Sequence, residues 1–385
     1  MLNNVNKFKH IDLKLVQPTF DSKITDLIIE LDYLRMKQLR GSTHPQIFFQ
    51  IKQIFHMLES IGSAKIEGNH TTIAEYIETT LDENAIINES IIEIRNMEKA
   101  LIFIDDNILD TNINRIFLSE LHKIVVNNLT TEGSITPGEY RKKNVVIAGA
   151  DFSPPDYSNV LDYMDELLKF INNNDSSKYD LLKTAIAHHR FVWIHPFDNG
   201  NGRTVRLFTY AMLVKLGFNI NVGRIINPTA VFCSNRSIYY HYLSKADSGK
   251  KEDVLDWCYY VLSGLKKEIE KIDKLLDYNY IAKTILLPAI RYSKDRELLT
   301  DIEKKILDVA IKKQVFQNSD LQDIFKGKKK SEISRWIRKM KERNLIETER
   351  KSSRKYIIKF SQNQILRGII KSLGDNDFLP IRDDN

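Results

Sequence analysis

The chain has 385 residues, 42% hydrophobic and 28% charged, with a formal net charge of +6. That balance fits a soluble globular protein with a main domain and one or two smaller ones. Its two cysteines, Cys233 and Cys258, lie in apolar helical contexts, which argues against a disulfide framework and fits a reducing compartment. No Cys/His spacing suits a metal, no segment approaches the roughly 20 apolar residues of a membrane span, and the first residues lack a leader pattern. These features predict a cytoplasmic protein with no membrane contact. Charge is uneven: residues 301–360 hold 18 Lys/Arg against 9 Asp/Glu, which leaves −3 for the remainder. A basic partner surface is therefore expected near the C-terminus.

Apolar residues recur at helical spacing over 24–39, 45–66, 88–104, 113–129, 160–173, 179–194, 204–218 and 252–277, so the chain reads as mainly α. The exception is 144–155, where a β-branched run, an Ala-Gly-Ala-Asp turn and two prolines predict a hairpin. The stretch 276–300 reads as a linker. Beyond it, 300–313, 318–325 and 330–346 give three more helical patterns, followed by two short strand-like runs around a basic turn.

Chemistry concentrates in Val-Trp-Ile-His-Pro-Phe-Asp-Asn-Gly-Asn-Gly-Arg-Thr-Val-Arg, residues 192–206. Gly200 and Gly202 stand at the start of a helix, where backbone N–H groups lack partners and the dipole favours an anion such as phosphate. Arg203 and Arg206 are three apart and share a helix face, so they add fixed positive charge beside that anion. His195, at the other edge of the loop, is placed to act as a base. Residue types alone leave a bland reading open, because glycine with asparagine marks many turns and a histidine before proline many loops.

The ordering of these parts resembles the Fic family motif, His-x-Phe-x-(Asp/Glu)-Gly-Asn-Gly-Arg-x-x-Arg. His195, Phe197, Gly200, Asn201, Gly202, Arg203 and Arg206 match it, and the resemblance extends from Thr43 to about Asp273. The segment ending in Pro154 and Pro155 resembles the family's flap hairpin. The resemblance implies transfer of AMP from ATP to a Ser, Thr or Tyr hydroxyl of a target protein, with His195 taking the hydroxyl proton. Asn201 and the Gly200 to Arg203 backbone would hold phosphates, and Arg203 and Arg206 would neutralise the β and γ groups. Val145, Val146 and Ile147 would align the target by strand addition. Tyr239 and Tyr240 resemble aromatic residues that border the adenine, and the helix around Tyr239 is a candidate homodimer surface. One position departs from the motif: Asn199 stands where the family usually has an acid that helps bind Mg²⁺. The carboxylate comes one residue earlier, at Asp198, so Mg²⁺ or Mn²⁺ is expected at Asn199 or Asp198, and an amide oxygen is the weaker ligand.

Residues 63–69, Ser-Ala-Lys-Ile-Glu-Gly-Asn, resemble the family's inhibitory motif, with Ser63, Glu67 and Gly68 matching. A glutamate paired with Arg206 would occupy the cation that otherwise holds the γ-phosphate. In some relatives the same glutamate orients a water that removes AMP. The C-terminal pattern resembles a winged helix-turn-helix. Ile333, Trp336, Ile337 and Met340 form its buried stripe, while Ser334, Arg335, Arg338 and Lys341 face a DNA groove or a protein, with Arg350, Lys351, Arg354 and Lys355 in the wing.

The expected organisation is an N-terminal helical region over 1–110 with an inhibitory helix at about 46–68, a Fic-like core over 111–275, a linker over 276–300, a winged helix over 301–360 and a tail over 361–385. The function expected is that of a protein adenylyltransferase autoinhibited by Glu67. An AMP-removing enzyme, or a DNA-binding regulator with a nucleotide-sensing Fic-like domain, is the alternative.

Overall fold

The computed structural model describes residues 8–36, 42–82, 84–147, 152–218 and 228–380. In chain order the helices are α1 (Lys23–Met36), α2 (Pro45–Ile66), α3 (Ile73–Leu81), α4 (Glu89–Asn107), α5 (Arg115–Val125), α6 (Val160–Asn172), α7 (Asp180–Ile194), α8 (Asn201–Lys215), α9 (Pro228–Cys233), α10 (Arg236–Ala246) and α11 (Lys251–Asp273). Then follow α12 (Tyr278–Tyr280), a π-helical turn (Ile281–Leu286), α13 (Leu287–Asp295), α14 (Asp301–Lys313), α15 (Lys330–Glu342) and α16 (Leu366–Asp375). Three short strands, β1 (Phe316–Gln317), β2 (Ile346–Thr348) and β3 (Lys355–Ile358), form an antiparallel sheet in the order β1-β3-β2, with Phe316 opposite Tyr356 and Ile346 opposite Ile358. Among the described residues, no helix is long and apolar enough to cross a membrane.

Local signals start and stop these helices. Pro45 opens α2 behind the His44 side chain, and Gly68, at φ 105°, turns the chain away after it. Capping boxes of Thr72 with Glu75 and of Thr300 with Glu303 begin α3 and α14.

Two apolar cores divide the chain in a way that sequence order does not suggest. The first joins Ile24, Leu27 and Leu31 of α1 to the second half of α4 and to α5–α11. The second joins most of α2, α3 and the first half of α4 to the whole region 275–378. No boundary falls near residue 110, and the expected linker is helix: Ile281, Ile285, Leu286, Ala289 and Ile290 are buried there. The tail is not separate either, because α16 buries Leu366, Ile369 and Leu373 in the same core. The expected second C-terminal helix is only a 3-10 turn, Asn318–Leu321, and Trp336 is half-buried while Ile333, Ile337 and Met340 are buried.

Helix α2 bridges the two cores. Its buried Gln50 donates to the Ile358 carbonyl at 2.9 Å and accepts from the Phe360 N–H at 2.7 Å, which clasps it to β3. Its last turn reaches the first core at Ile66. A rigid helix of 22 residues thus carries Glu67 at one end and the C-terminal sheet at the other.

Candidate active site

Helix α7 ends where His195 adopts a left-handed conformation, φ 50° and ψ 62°. For a residue with a Cβ this costs about 1–2 kcal/mol, and Arg141 holds it. The Arg141 guanidinium, 3% exposed, donates to His195 O at 2.8 Å, Pro155 O at 2.5 Å, Lys143 O at 3.1 Å and Ile194 O at 3.4 Å. Its own N–H donates to Pro196 O at 2.8 Å. His195 Nδ1 lies 3.3 Å from Val192 O, so it carries the proton there and Nε2 keeps its lone pair. Burial pushes the imidazole down to about 4, against the pull of the Val192 bond and with the Arg141 charge assisting, so His195 is neutral at pH 7.

The following loop is pinned from within. Phe197 is fully buried and stacks on His122, with ring centroids 3.7 Å apart and planes 2° from parallel. His122 accepts from Gly138 N–H at 2.8 Å through Nδ1, so its Nε2–H donates to Asn199 O at 3.0 Å. The Asn201 side chain braces the loop: it accepts from Phe197 N–H and donates to Phe197 O, both at 2.9 Å, which leaves its second Nδ2 hydrogen without a partner in these bonds. Gly200 is the N-cap of α8 at φ 72°, and no side chain caps that helix. The first ladder bond is made by Thr204 N–H to Gly200 O, so the amides of Asn201, Gly202 and Arg203 are the open donors.

Both candidate metal ligands help to shape the loop. Asp198 Oδ1 accepts from Ser134 Oγ at 2.5 Å and Asn199 N–H at 3.0 Å, while Oδ2 accepts from Ile135 N–H at 2.8 Å. Asn199 Oδ1 accepts from Gly200 N–H at 2.6 Å. Among the described residues, no group of three or more His, Cys, Asp or Glu side chains is arranged to hold a metal ion.

The two arginines are already engaged. Arg206, 1% exposed, donates to Ser63 Oγ at 2.8 Å, Ser63 O at 3.0 Å and Glu67 Oε1 at 2.7 Å. Burial pushes the Glu67 carboxyl up, but the charge and hydrogen bond of Arg206, with Arg203 and His195 behind, hold it below the usual range. Gly202 makes this approach possible, because a Cβ there would collide with Glu67 Oε1. Arg203, also 1% exposed, meets Glu93 Oε1 at 2.8 Å and donates to Glu132 O at 2.8 Å. Sequence reasoning brought Ser63, Glu67, Arg206 and His195 to one place, but it missed Arg141, His122, Glu93 and Glu132. The available signal for Glu93 is an acid within the apolar run of α4, between buried Ile91 and Ile94.

Other expected positions differ. Residues 144–147 form no strand with any of the described residues, 148–151 lie outside them, and side chains tie the two ends of the segment together. Asn144 donates to Asp156 Oδ2 at 2.8 Å and accepts from Tyr157 N–H at 2.9 Å. Val146 is 92% exposed, while Val145 and Ile147 are half-buried. Tyr239 is 2% exposed and donates to His188 Nε2 at 2.9 Å beside Phe232 and Trp257, so it is a core residue rather than an adenine contact or dimer surface. Tyr240 faces solvent under Arg236. A cleft of about 890 Å³ instead separates Lys65 and Gly68 from Cys233, Asn235 and Arg236. At the far end of the molecule Ser334, Arg335, Arg338 and Lys341 are exposed, as are Arg350, Lys351, Arg354 and Lys355.

Residues 112–213 match the model of the Fic/DOC family. Over 201 residues the chain is 31% identical to "Protein adenylyltransferase Fic" of Drosophila melanogaster and of Drosophila sechellia, covering 50% of this chain and 37% of each relative. The chain thus spans little more than a third of those relatives' length. Among solved structures, a Fic family protein from Desulfovibrio desulfuricans G20 superposes with a TM-score of 0.53 at 19% identity, over 89% of this chain and 98% of that one. A Fic domain-containing signaling protein from Bacteroides thetaiotaomicron gives 0.54 at 20% identity, over 65% and 96%. These likenesses establish the shared fold, and the turn carrying His195, the uncapped N-terminus of α8 and the paired arginines all fall inside the matched span. The candidate site thus lies within the span that is similar to the Fic/DOC family.

Proposed function

We propose that this protein is an adenylyltransferase that moves AMP from ATP to a Ser, Thr or Tyr hydroxyl of a target protein and is held inactive by Glu67. The observation that carries the reading is His195: a neutral imidazole, its Nδ1 proton tied to Val192 O, beside an uncapped helix N-terminus. Its Nε2 accepts the hydroxyl proton as the oxygen attacks the α-phosphorus, and the bond to the bridging oxygen breaks to release pyrophosphate. The open amides of α8 hold the transferred phosphate, and Arg206 takes the γ-phosphate once Glu67 leaves. The names of the relatives support this activity for the matched span.

Asp198 uses three of its roughly four lone-pair sites within the loop, so one remains for Mg²⁺ or Mn²⁺, which is commonly completed by substrate phosphates and water. Asn199, whose neutral oxygen already serves Gly200, is the weaker of the two ligands. Bound with ATP, the cation supplies charge neutralisation. The sheet order β1-β3-β2 behind the basic face of α15 supports a winged helix that contacts duplex DNA. The two free cysteines suit a cytoplasmic setting.

The test is incubation with ATP and Mg²⁺ or Mn²⁺, read by intact mass, for the parent, Glu67→Gly and Glu67→Gly/His195→Ala. A gain of one AMP in Glu67→Gly that vanishes in the double variant is expected. Absence of any gain despite bound ATP would refute transfer and favour AMP removal or nucleotide sensing.

A further inference from the structure

The two motif arginines are neutralised by different acids. Glu67 stands at the end of α2, beyond its last helical residue, and can swing away. Glu93 sits in the second turn of α4, 3% exposed between buried Ile91 and Ile94, and has nowhere to go. Its Oε1 lies 2.8 Å from Arg203 Nη1, and its Oε2 accepts from Asn69 Nδ2 at 2.7 Å. Asn69 also donates to Ser90 O at 2.9 Å, so the chain leaving the Glu67 turn is anchored to α4 through the same carboxylate.

The Glu93–Arg203 contact is Coulombic rather than a completed hydrogen bond. Neither Glu93 Oε1 nor Arg203 Nη1 has an aligned partner among the described residues, and Arg203 Nε has none there either. Arg203 Nη2 alone is satisfied, by Glu132 O at 2.8 Å. A purely structural buried pair would use those donors, since leaving them unmade is costly. Here a buried guanidinium keeps spare N–H groups in the first turn of α8, where the open amides already favour an anion. Three acids, Glu67, Glu93 and Glu132, face two cations, so these five side chains carry a formal net charge of −1 before any phosphate arrives.

Resting on the nucleotide reading above, we propose that Glu93 is a positioning residue: it holds Arg203 beside the N-terminus of α8, and its fixed charge sets how tightly the cradle takes nucleoside di- and triphosphates. Removing Glu67 alone therefore leaves the affinity below what the arginines allow. Arg203 acts beyond the α-phosphate, so the charge of Glu93 is felt by ADP and ATP and hardly by AMP.

The experiment uses the full chain in a Glu67→Gly background, with Glu93→Gln and Glu93→Ala added separately. Calorimetric affinities for ATP, ADP and AMP are read together with the rise in Tm that each nucleotide produces. Glu93→Gln keeps one oxygen, enough to face Arg203, without the charge, while its amide nitrogen turns towards Asn69; it should bind ATP and ADP about tenfold more tightly than its parent, with AMP unchanged. Glu93→Ala is equally neutral but no longer holds Arg203, and it should lose most of that gain. Equal ATP affinity in the parent and Glu93→Gln would overturn the proposal. So would identical behaviour of the two variants, or a fall in Tm shared by both with no dependence on phosphate number. A parent that binds no nucleotide would overturn the nucleotide reading itself.

Discussion

Arg141→Ala is the most demanding perturbation of the site, because one guanidinium ties the backbone at Lys143 and Pro155 to the turn that carries His195. Its donors reach four carbonyl oxygens, those of His195, Lys143, Pro155 and Ile194, at 2.5 to 3.4 Å, and the side chain is 3% exposed. Hydrogen bonds to a charged group contribute about 1.5–3 kcal/mol each, but they do not add, and desolvation of the guanidinium offsets part of them. The expected loss is about 3 kcal/mol, or roughly 4 °C in Tm for a chain of 385 residues unfolding as one body. The loss at the active site is larger than the loss of stability suggests. Without the bond to His195 O, the left-handed residue relaxes, and a base displaced by about 1 Å costs on the order of a hundredfold in rate. Differential scanning calorimetry and the rate of AMP incorporation in a Glu67→Gly background measure the two effects. Arg141→Lys, which keeps the charge but only part of the fork, should fall between. If Arg141→Ala unfolds within about 0.5 kcal/mol of its parent and transfers AMP at the parental rate, the clamp has no role and the argument fails.

Acid should act on stability and activity in different ways. Burial pushes His56 and His122 down to about 4, so the unfolded chain takes up protons first; stability is complete above about pH 6.5 and is lost as pH falls from there towards 4, on the order of 3 kcal/mol for each imidazole, which calorimetry across that range will show. In the Glu67→Gly variant the acid limb of kcat/KM should fall near pH 4, where His195 protonates, and a limb near 6.5 would contradict its buried, neutral state. Gln50→Leu removes both bonds that clasp α2 to β3 and strands two buried backbone groups, so it should cost about 2–4 kcal/mol and raise amide exchange along 47–58, measured by mass spectrometry. Duplex DNA should bind the parent more weakly as salt rises, and Arg335→Glu/Arg338→Glu should flatten the slope of log K against log salt by about 2, followed by fluorescence anisotropy; unchanged slopes would refute the basic-face reading.

Much of the site was legible because its parts are local. His195, the glycines at the start of α8 and the shared face of Arg203 and Arg206 all lie within a dozen residues, where conformational preference and helical spacing act directly. The helices were legible for the same reason, and Glu67 could be matched to Arg206 because a recognisable pattern surrounds each. The linker was misread because Ile281, Ile285 and Ile290 reveal their purpose only when α16, some 80 residues later, packs over them. Tyr239, read from the sequence as an adenine contact, is instead enclosed by His188 and Trp257.

From residue order alone follow the helical class, the glycine turn before α8 and the shared face of Arg203 and Arg206, since each depends on neighbours a few positions away; Glu67 was matched to Arg206 through the motif around each. Packing decided the rest. That α2 belongs to the core of the C-terminal region, that Glu93 and Glu132 share Arg203, and that Arg141 holds the catalytic turn all depend on groups brought together from across the chain. Burial makes those pairings matter, because a charge or carbonyl removed from water must find its partner wherever the fold has placed one.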